Sequence, residues 1–417
     1  MKNLFKKFEN NKKYIFCIFT PKENTEALIK KYKYLISECI NRYGRFTIFV
    51  FKKKQKIFTI QSFPKNKVDK LDIIYIDKKR DFLDYINNKT LFAIDEISRD
   101  LRYFNIRRLI NKENIKLIFI MNIGFIPNTT SSQNKEISFK NKIYLIKKFL
   151  IKFFCRALII LDIYPKTQFY FESNKKVVKK YNTSFIRKLI FKNPSLKFLV
   201  NYYFIEKINS NSYERFLDYR KVRPKNRILF IDGNFKHKDI LYRENNKIKK
   251  NKAKYFKALN SYLTFLGKIL KKKIYISLHP SSNISEYRKF FKFFNISKGS
   301  TFENIYNSSL IIFHESSAVM DAMIAKKNII SFKTKLLGNY YSNRINLYVN
   351  RCNFFSIDID KPIEKNRLTK NLLLKKIKQN KNKSNYYIYH NLLSDKQIKP
   401  SNKILNKIEC FIKKLNR

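Results

Sequence analysis

The 417-residue sequence predicts an α/β protein of two doubly wound domains, each a parallel sheet with helices on its faces. Three observations carry this. Short, continuously apolar runs alternate with stretches of helical period, as strands covered on both faces alternate with crossover helices. The alternation restarts after a charged segment near the middle of the chain. The length suits two cores at roughly 150 residues per domain.

In the first half the apolar runs are YIFCIF (Tyr14–Phe19), FTIFVF (Phe46–Phe51), LDIIYI (Leu71–Ile76), LFAID (Leu91–Asp95) and IKLIFIM (Ile115–Met121). Between the last two lies ISRDLRYFNIRRLI, where Leu101, Phe104, Ile106, Leu109 and Ile110 follow a helical period. NIGFIPNTTSSQNKE, rich in turn formers, reads as a loop. FKNKIYLIKKFLIKFFCRALIILDIY then mixes basic with bulky apolar residues and has two readings. It is a partly buried core helix with lysine stems reaching outward, or a helix lying in a bilayer interface. The charged YERFLDYRKVRPKN (Tyr213–Asn226) marks the boundary, giving domains 1–222 and 223–360 and a closing helical segment 361–417.

The second half has clearer edges. RILFID (Arg227–Asp232), KIYISL before His279-Pro280, SLIIF (Ser309–Phe313) and NIISF (Asn328–Phe332) are strands. KAKYFKALNSYLTFLGKILKK, ISEYRKFFKFF and SSAVMDAMIAKK are the helices between them, and NRLTKNLLLKKIKQNKNK and SNKILNKIECFIKKL close the chain. Right-handed crossovers bring the C-terminal strand ends of such a sheet to one crevice.

Composition narrows the class. Six Gly and nine Pro exclude fibrous and low-complexity chains, and 44% hydrophobic residues suffice for packed interiors. The formal net charge of +59 suggests an anionic partner, but the basic residues are scattered. Abundant Lys, Asn, Ile, Phe and Tyr, with no Trp, mark an AT-biased genome. No nucleic-acid reading motif accompanies the charge, so no nucleic-acid partner is expected, and an anionic membrane surface suits it better. Five separated cysteines without a C-x-x-C pair support neither disulfides nor zinc. The N-terminus lacks a signal-peptide pattern, and no run of about 18 uncharged apolar residues occurs. A cytoplasmic protein, soluble or peripheral at the membrane, is expected.

Four turns carry candidate chemistry. In FHESSAVMDAMIA, His314 and Glu315 form the turn after a strand, and Ser316 or Ser317 stands at an N-cap; the free N–H groups of that helix would attract phosphate. In ISLHPSSNISEYRKFF, His279 ends a strand, Pro280 stops further pairing, and Ser281 or Ser282 can bind an oxyanion. In KGSTFENIYNSS, Ser300 or Thr301 followed by Glu303 or Asn304 resembles a capping box; alone it is a helix start, and between the other two turns it becomes a nucleotide contact. In FIDGNFKHKD, Asp232 is a turn former or a general base, with His237 beyond it.

Taken in order, strand, His-Pro, Ser/Thr-Glu helix, Ser-Ser-Ala turn and a final apolar strand after Lys327 resemble the donor domain of GT-B glycosyltransferases. The groups resembled act on bacterial capsule, lipopolysaccharide and other surface carbohydrate, including sialyl-, polysialyl- and 3-deoxy-octulosonate-transferase-like enzymes. The resemblance covers about Arg227 to Asp358. It implies two Rossmann-like domains facing a cleft, a nucleotide-sugar donor, a glycan or lipid-linked glycan acceptor, and phosphate contacts at His279, Ser316 and Ser317. Helix N-termini and a histidine would stabilise the departing phosphate, so neither a metal nor a cofactor beyond the donor is expected, and inversion is the expected outcome. The acidic-acidic-Gly motif that such groups carry as catalytic base is absent; Asp95-Glu96 lacks the glycine, and Glu172 is a further candidate. Two rival readings stay open: transfer from a CDP-linked polyol phosphate, and a non-catalytic basic protein that binds polyanions.

Overall fold

The computed structural model describes residues 14–21, 25–51, 69–87, 89–97, 103–121, 150–151, 153–173, 202–233, 238–299, 301–379 and 398–415. They fall into two compact units. His237, Ser300 and the loop after Met121 lie outside the described residues.

The first unit has seven strands: β1 (Tyr14–Thr20), β2 (Phe46–Val50), β3 (Leu71–Tyr75), β4 (Thr90–Asp95), β5 (Lys116–Met121), β6 (Thr167–Glu172) and β7 (Tyr202–Lys207). Their order is β3-β2-β1-β4-β5-β6-β7, every neighbouring pair parallel. Parallel neighbours require crossovers, and the helices include α1 (Glu26–Tyr43), α2 (Lys79–Ile86) and α3 (Phe104–Lys112). Strand alternation splits the core in two. Phe16 and Ile18 pack under α1, while Cys17 and Phe19 pack with Phe82 and Ile110 on the other face.

The second unit begins at Asn209 with α4 (Asn211–Tyr219). It continues with β8 (Lys225–Ile231), α5 (Lys238–Ile269), β9 (Lys273–Leu278), α6 (Ile284–Phe290), β10 (Asn295–Lys298), α7 (Thr301–Tyr306) and β11 (Ser308–Phe313). It closes with α8 (Val319–Ile324), β12 (Asn328–Lys333), α9 (Asn339–Cys352) and β13 (Phe355–Asp358). The parallel order β10-β9-β8-β11-β12-β13 is that of a doubly wound nucleotide-binding sheet.

Two expectations about organisation change. The boundary falls before α4, not after it, because buried Asp321 on α8 binds Arg215 on α4 through Nε (2.8 Å) and Nη2 (3.2 Å). The segment 361–417 is also not one closing unit, because α10 (Pro400–Leu415) belongs to the first unit. Its Ile404, Leu405, Ile408 and Ile412 complete the core under α1, and Phe411 packs edge-on to Phe169 at 5.3 Å. Arg42 reaches Asn406 (2.7 Å) and Glu409 (3.1 Å), and the Tyr43 hydroxyl donates to Glu409 (2.6 Å).

Candidate functional site

In the second sheet Phe313 stands level with Ile231, and Ile231 with Ser277. The residues that follow therefore emerge at one edge: Asp232-Gly233, His279 to Ser282, and His314 to Ser317. β8 lies between β9 and β11, so the His279 and Ser316 turns stand about two strand spacings, roughly 10 Å, apart. Strand order reverses between β8 and β11, the place at which such sheets bind ligands, and the His279 turn stands one strand to the side of it.

The His279 turn is tightly specified. Ser282 N–H donates to the His279 carbonyl (2.9 Å), and the Ser282 hydroxyl donates to buried Asp232 (3.3 Å). Ser281 N–H donates to His279 Nδ1 (3.2 Å), with the Ser281 hydroxyl 2.8 Å from the same nitrogen. An Nδ1 that accepts a hydrogen bond leaves the ring hydrogen on Nε2, so the ring presents a donor there. The cap of α6 is Asn283, which accepts from Ser285 N–H (3.0 Å). Pro280 and Ser281 are exposed.

The Ser316 turn differs from its sequence reading. Ser316 Oγ accepts from Ala318 N–H (3.3 Å), while Val319 and Met320 donate to the carbonyls of Ser316 and Ser317 (3.2 and 3.1 Å). The N–H groups expected to face a ligand are thus taken by the turn itself. Ser317 remains exposed, and Glu315 is ion-paired to Arg344 on α9. Thr301 lies 2.8 Å from Ser277 on β9, whereas Glu303 is exposed.

His314 lies in the core and not at the rim. It is fully buried among Phe230, Tyr255, Phe332 and Tyr341, and its Nδ1 bonds the Phe332 carbonyl (2.7 Å). Burial lowers its pKa from 6.5 to about 4. Above pH 6.5 folded and unfolded imidazoles are both neutral and the group adds no pH dependence. As pH falls toward about 4 the unfolded chain takes up a proton that the folded protein refuses. Stability should then drop by up to about 3 kcal/mol. Denaturation of wild type and His314→Phe between pH 7 and pH 4.5 checks this, since the variant should lack that part of the slope.

Gly233 is held by close approach. A Cβ there would stand 2.5 Å from the Glu315 carbonyl oxygen and 2.8 Å from the Tyr341 hydroxyl oxygen. Gly233→Ala should therefore destabilise by about 1–3 kcal/mol, as overpacking does, read as a lower urea midpoint.

At the first sheet's reversal point, between β1 and β4, the acidic pair divides. Asp95 is buried and bidentate to Arg107 on α3 (2.7 and 3.0 Å), and it also accepts from Ile97 N–H (3.1 Å). Glu96 is half-buried, and its Oε1 receives both Lys31 (2.6 Å) and the Tyr32 hydroxyl, while its Oε2 has no partner among the described residues. Glu172 is buried and accepts from the Tyr170 hydroxyl (3.0 Å). No group of three or more metal-ligating side chains occurs among the described residues.

Neither a protein-family model nor a curated protein matches the chain. Solved structures do. The wall teichoic acid polymerase TagF, as a His-to-Asn variant soaked with CDPG, is similar over 100% of this chain and 94% of its own, with TM-score 0.53 at 13% identity. A putative UDP-N-acetylglucosamine 2-epimerase from Listeria monocytogenes is similar over 97% of both chains, with TM-score 0.52 at 9% identity. The fold is GT-B-like. Sequence reasoning named His279 and its serines as candidates and did not name Tyr32, Arg107, Tyr341 and Arg344, which contact the candidate residues or pack beside them. Gly-Asn-Tyr-Tyr-Ser-Asn-Arg, a glycine opening a helix with Tyr341 and Arg344 three apart, is a signal that could have drawn attention to the last two.

Proposed function

We propose that the chain transfers a sugar from a nucleotide-activated donor to a bacterial surface glycan or a lipid-linked glycan, without metal and with inversion. One observation carries the reading: one strand from the reversal point of a doubly wound sheet, Ser281 N–H on Nδ1 makes His279 an Nε2 donor. As the bond between the anomeric carbon and the donor phosphate oxygen breaks, negative charge grows on that oxygen, and His279 with Ser281 and Ser317 is the phosphate-binding set. Thr301 and Glu303 are the nucleoside-side candidates. Within the first unit Glu96 is the candidate base, its Oε2 being the carboxylate oxygen suited to take the proton of an acceptor hydroxyl. Asp95, bound to Arg107, is the less suited of the two acids.

Transfer of a polyol phosphate from a CDP-linked donor is the second reading, favoured by the fold likeness to TagF, a polymerase studied with CDPG. Thermal shift with CMP, CDP, UDP and GDP tests the donor site, since a bound nucleotide raises the melting temperature. Labelled CDP-polyol against CMP- and UDP-sugars then separates the two transfers. No shift with any nucleotide would reject both and leave the polyanion-binding reading.

A further inference from the structure

In the first unit residues 150–151 and 153–160 are helical and apolar on two sides. One side packs inward: Cys155, Leu158 and Ile159 are buried with Tyr164, against Ile151, Ile163 and Phe104. The other side does not. Leu150, Phe153, Phe154 and Leu161 are 58%, 67%, 51% and 66% exposed. Leu150, Phe153 and Phe154, at i, i+3 and i+4 with Ala157 at i+7, share one face at about 100° per residue, and Leu161 follows at the helix end, its N–H donating to the Ala157 carbonyl (2.8 Å). The other large apolar side chains with high exposure, among them Val222, Phe293 and Leu374, lie far apart in the sequence, as isolated exposed residues commonly do. A contiguous face of this kind needs a cover.

Charge selects the cover. Arg156 is exposed and has no ion-pair partner among the described residues. The sequence from Phe139 to Arg156, FKNKIYLIKKFLIKFFCR, contains basic residues and no acidic one, within a chain of net charge +59. A nucleic acid would satisfy the cations but offers no apolar layer for four large side chains. A lipid surface with anionic headgroups offers both, taking Phe and Leu below the headgroups and leaving Arg among them.

We propose that this face docks the chain onto an anionic bilayer surface, with Leu150, Phe153, Phe154 and Leu161 entering the headgroup boundary and Arg156 pairing with lipid phosphate. No helix among the described residues is long and apolar enough to cross a membrane. The proposal does not rest on the donor chemistry. A chain that ignores every nucleotide yet binds vesicles would reject the transferase readings and leave this one standing.

The test is co-sedimentation of the full chain, at near-physiological salt, with vesicles of phosphatidylcholine alone and of phosphatidylcholine with phosphatidylglycerol. Wild type should pellet with the anionic vesicles, and Phe153→Ser/Phe154→Ser should lower the partition coefficient by about tenfold or more. The unfolding transition of that variant should stay unchanged, because both rings are exposed. Arg156→Glu should weaken binding to the anionic vesicles. Wild type that stays in the supernatant, or a double-serine variant that binds as wild type does, would overturn the proposal, the latter showing that diffuse charge suffices. So would a solution dimer of wild type that the double-serine variant dissociates, since a second copy would then be the cover.

Discussion

Arg107→Ala is expected to cost the first unit about 3–5 kcal/mol, the range for breaking a buried ion pair from one side. The two side chains are 1% and 3% exposed, so removing the guanidinium strands a carboxylate out of reach of water. Arg107 also donates to the Ile97 carbonyl, so the stretch that carries Glu96 loses a second anchor. The size of the loss should come from the orphaned charge, not from the pair's intrinsic worth. Arg107 Nε has no hydrogen-bond partner among the described residues, so the pair is itself incompletely satisfied. The double variant Arg107→Met/Asp95→Leu should therefore recover most of what the single change loses. Urea unfolding of the first unit in both variants decides it, and a double variant no better than the single one would contradict the argument.

His279→Ala should lower donor turnover by roughly 10²–10³-fold, the loss seen when one preorganised donor to a developing oxyanion is removed. Because His279 is half-exposed and its turn is also tied by the Ser282–Asp232 bond, stability should change little. Initial rates with the donor that passes the nucleotide screen, measured beside a melting curve, separate loss of chemistry from loss of fold. Asp232→Asn, by contrast, should alter the turn and nucleotide affinity together. Turnover by His279→Ala equal to wild type would remove the imidazole from the proposed site.

The strands that could be read from sequence, β1 to β5 with β8, β9, β11 and β12, are those whose residues run almost unbroken in apolar side chains. Those not found share another property. β6, β7, β10 and β13, which read TQFYFE, YYFIEK, NISK and FSID, carry polar side chains that break the apolar run, whereas β3, an edge strand as well, keeps LDIIY and was read. The first turns of α5 were missed because RENNKIKKNK has no apolar period. KFFKFF looked helical to its end, yet α6 stops at Phe290 and the chain turns into β10.

The two histidines show where local pattern stops being informative. Each follows an apolar strand, yet one is buried and the other half-exposed. His314 keeps the alternation of Leu310 and Ile312, which face the core containing Tyr255 and Tyr341, so strand parity carries it inside. His279 comes one residue after Leu278, out of phase with Ile276 and Leu278 on that core face, and Pro280 then turns the chain away. The acidic pair was visible, but its division was not. Arg107 lies on the helix after Asp95, and Lys31 and Tyr32 reach Glu96 from α1, contacts that only the folded sheet creates.

The return of α10 to the first unit sets a timetable for biosynthesis. About 190 residues separate the end of β7 from α10, which at 5–20 residues per second is roughly 10–40 s of translation. During that interval the nascent sheet holds Phe92 and Phe169 without the Phe411 ring that later abuts both. The ribosome thus releases a greasy, half-finished lobe well before its missing rod is made, and a chaperone that shields that lobe would be expected to raise the yield of native protein.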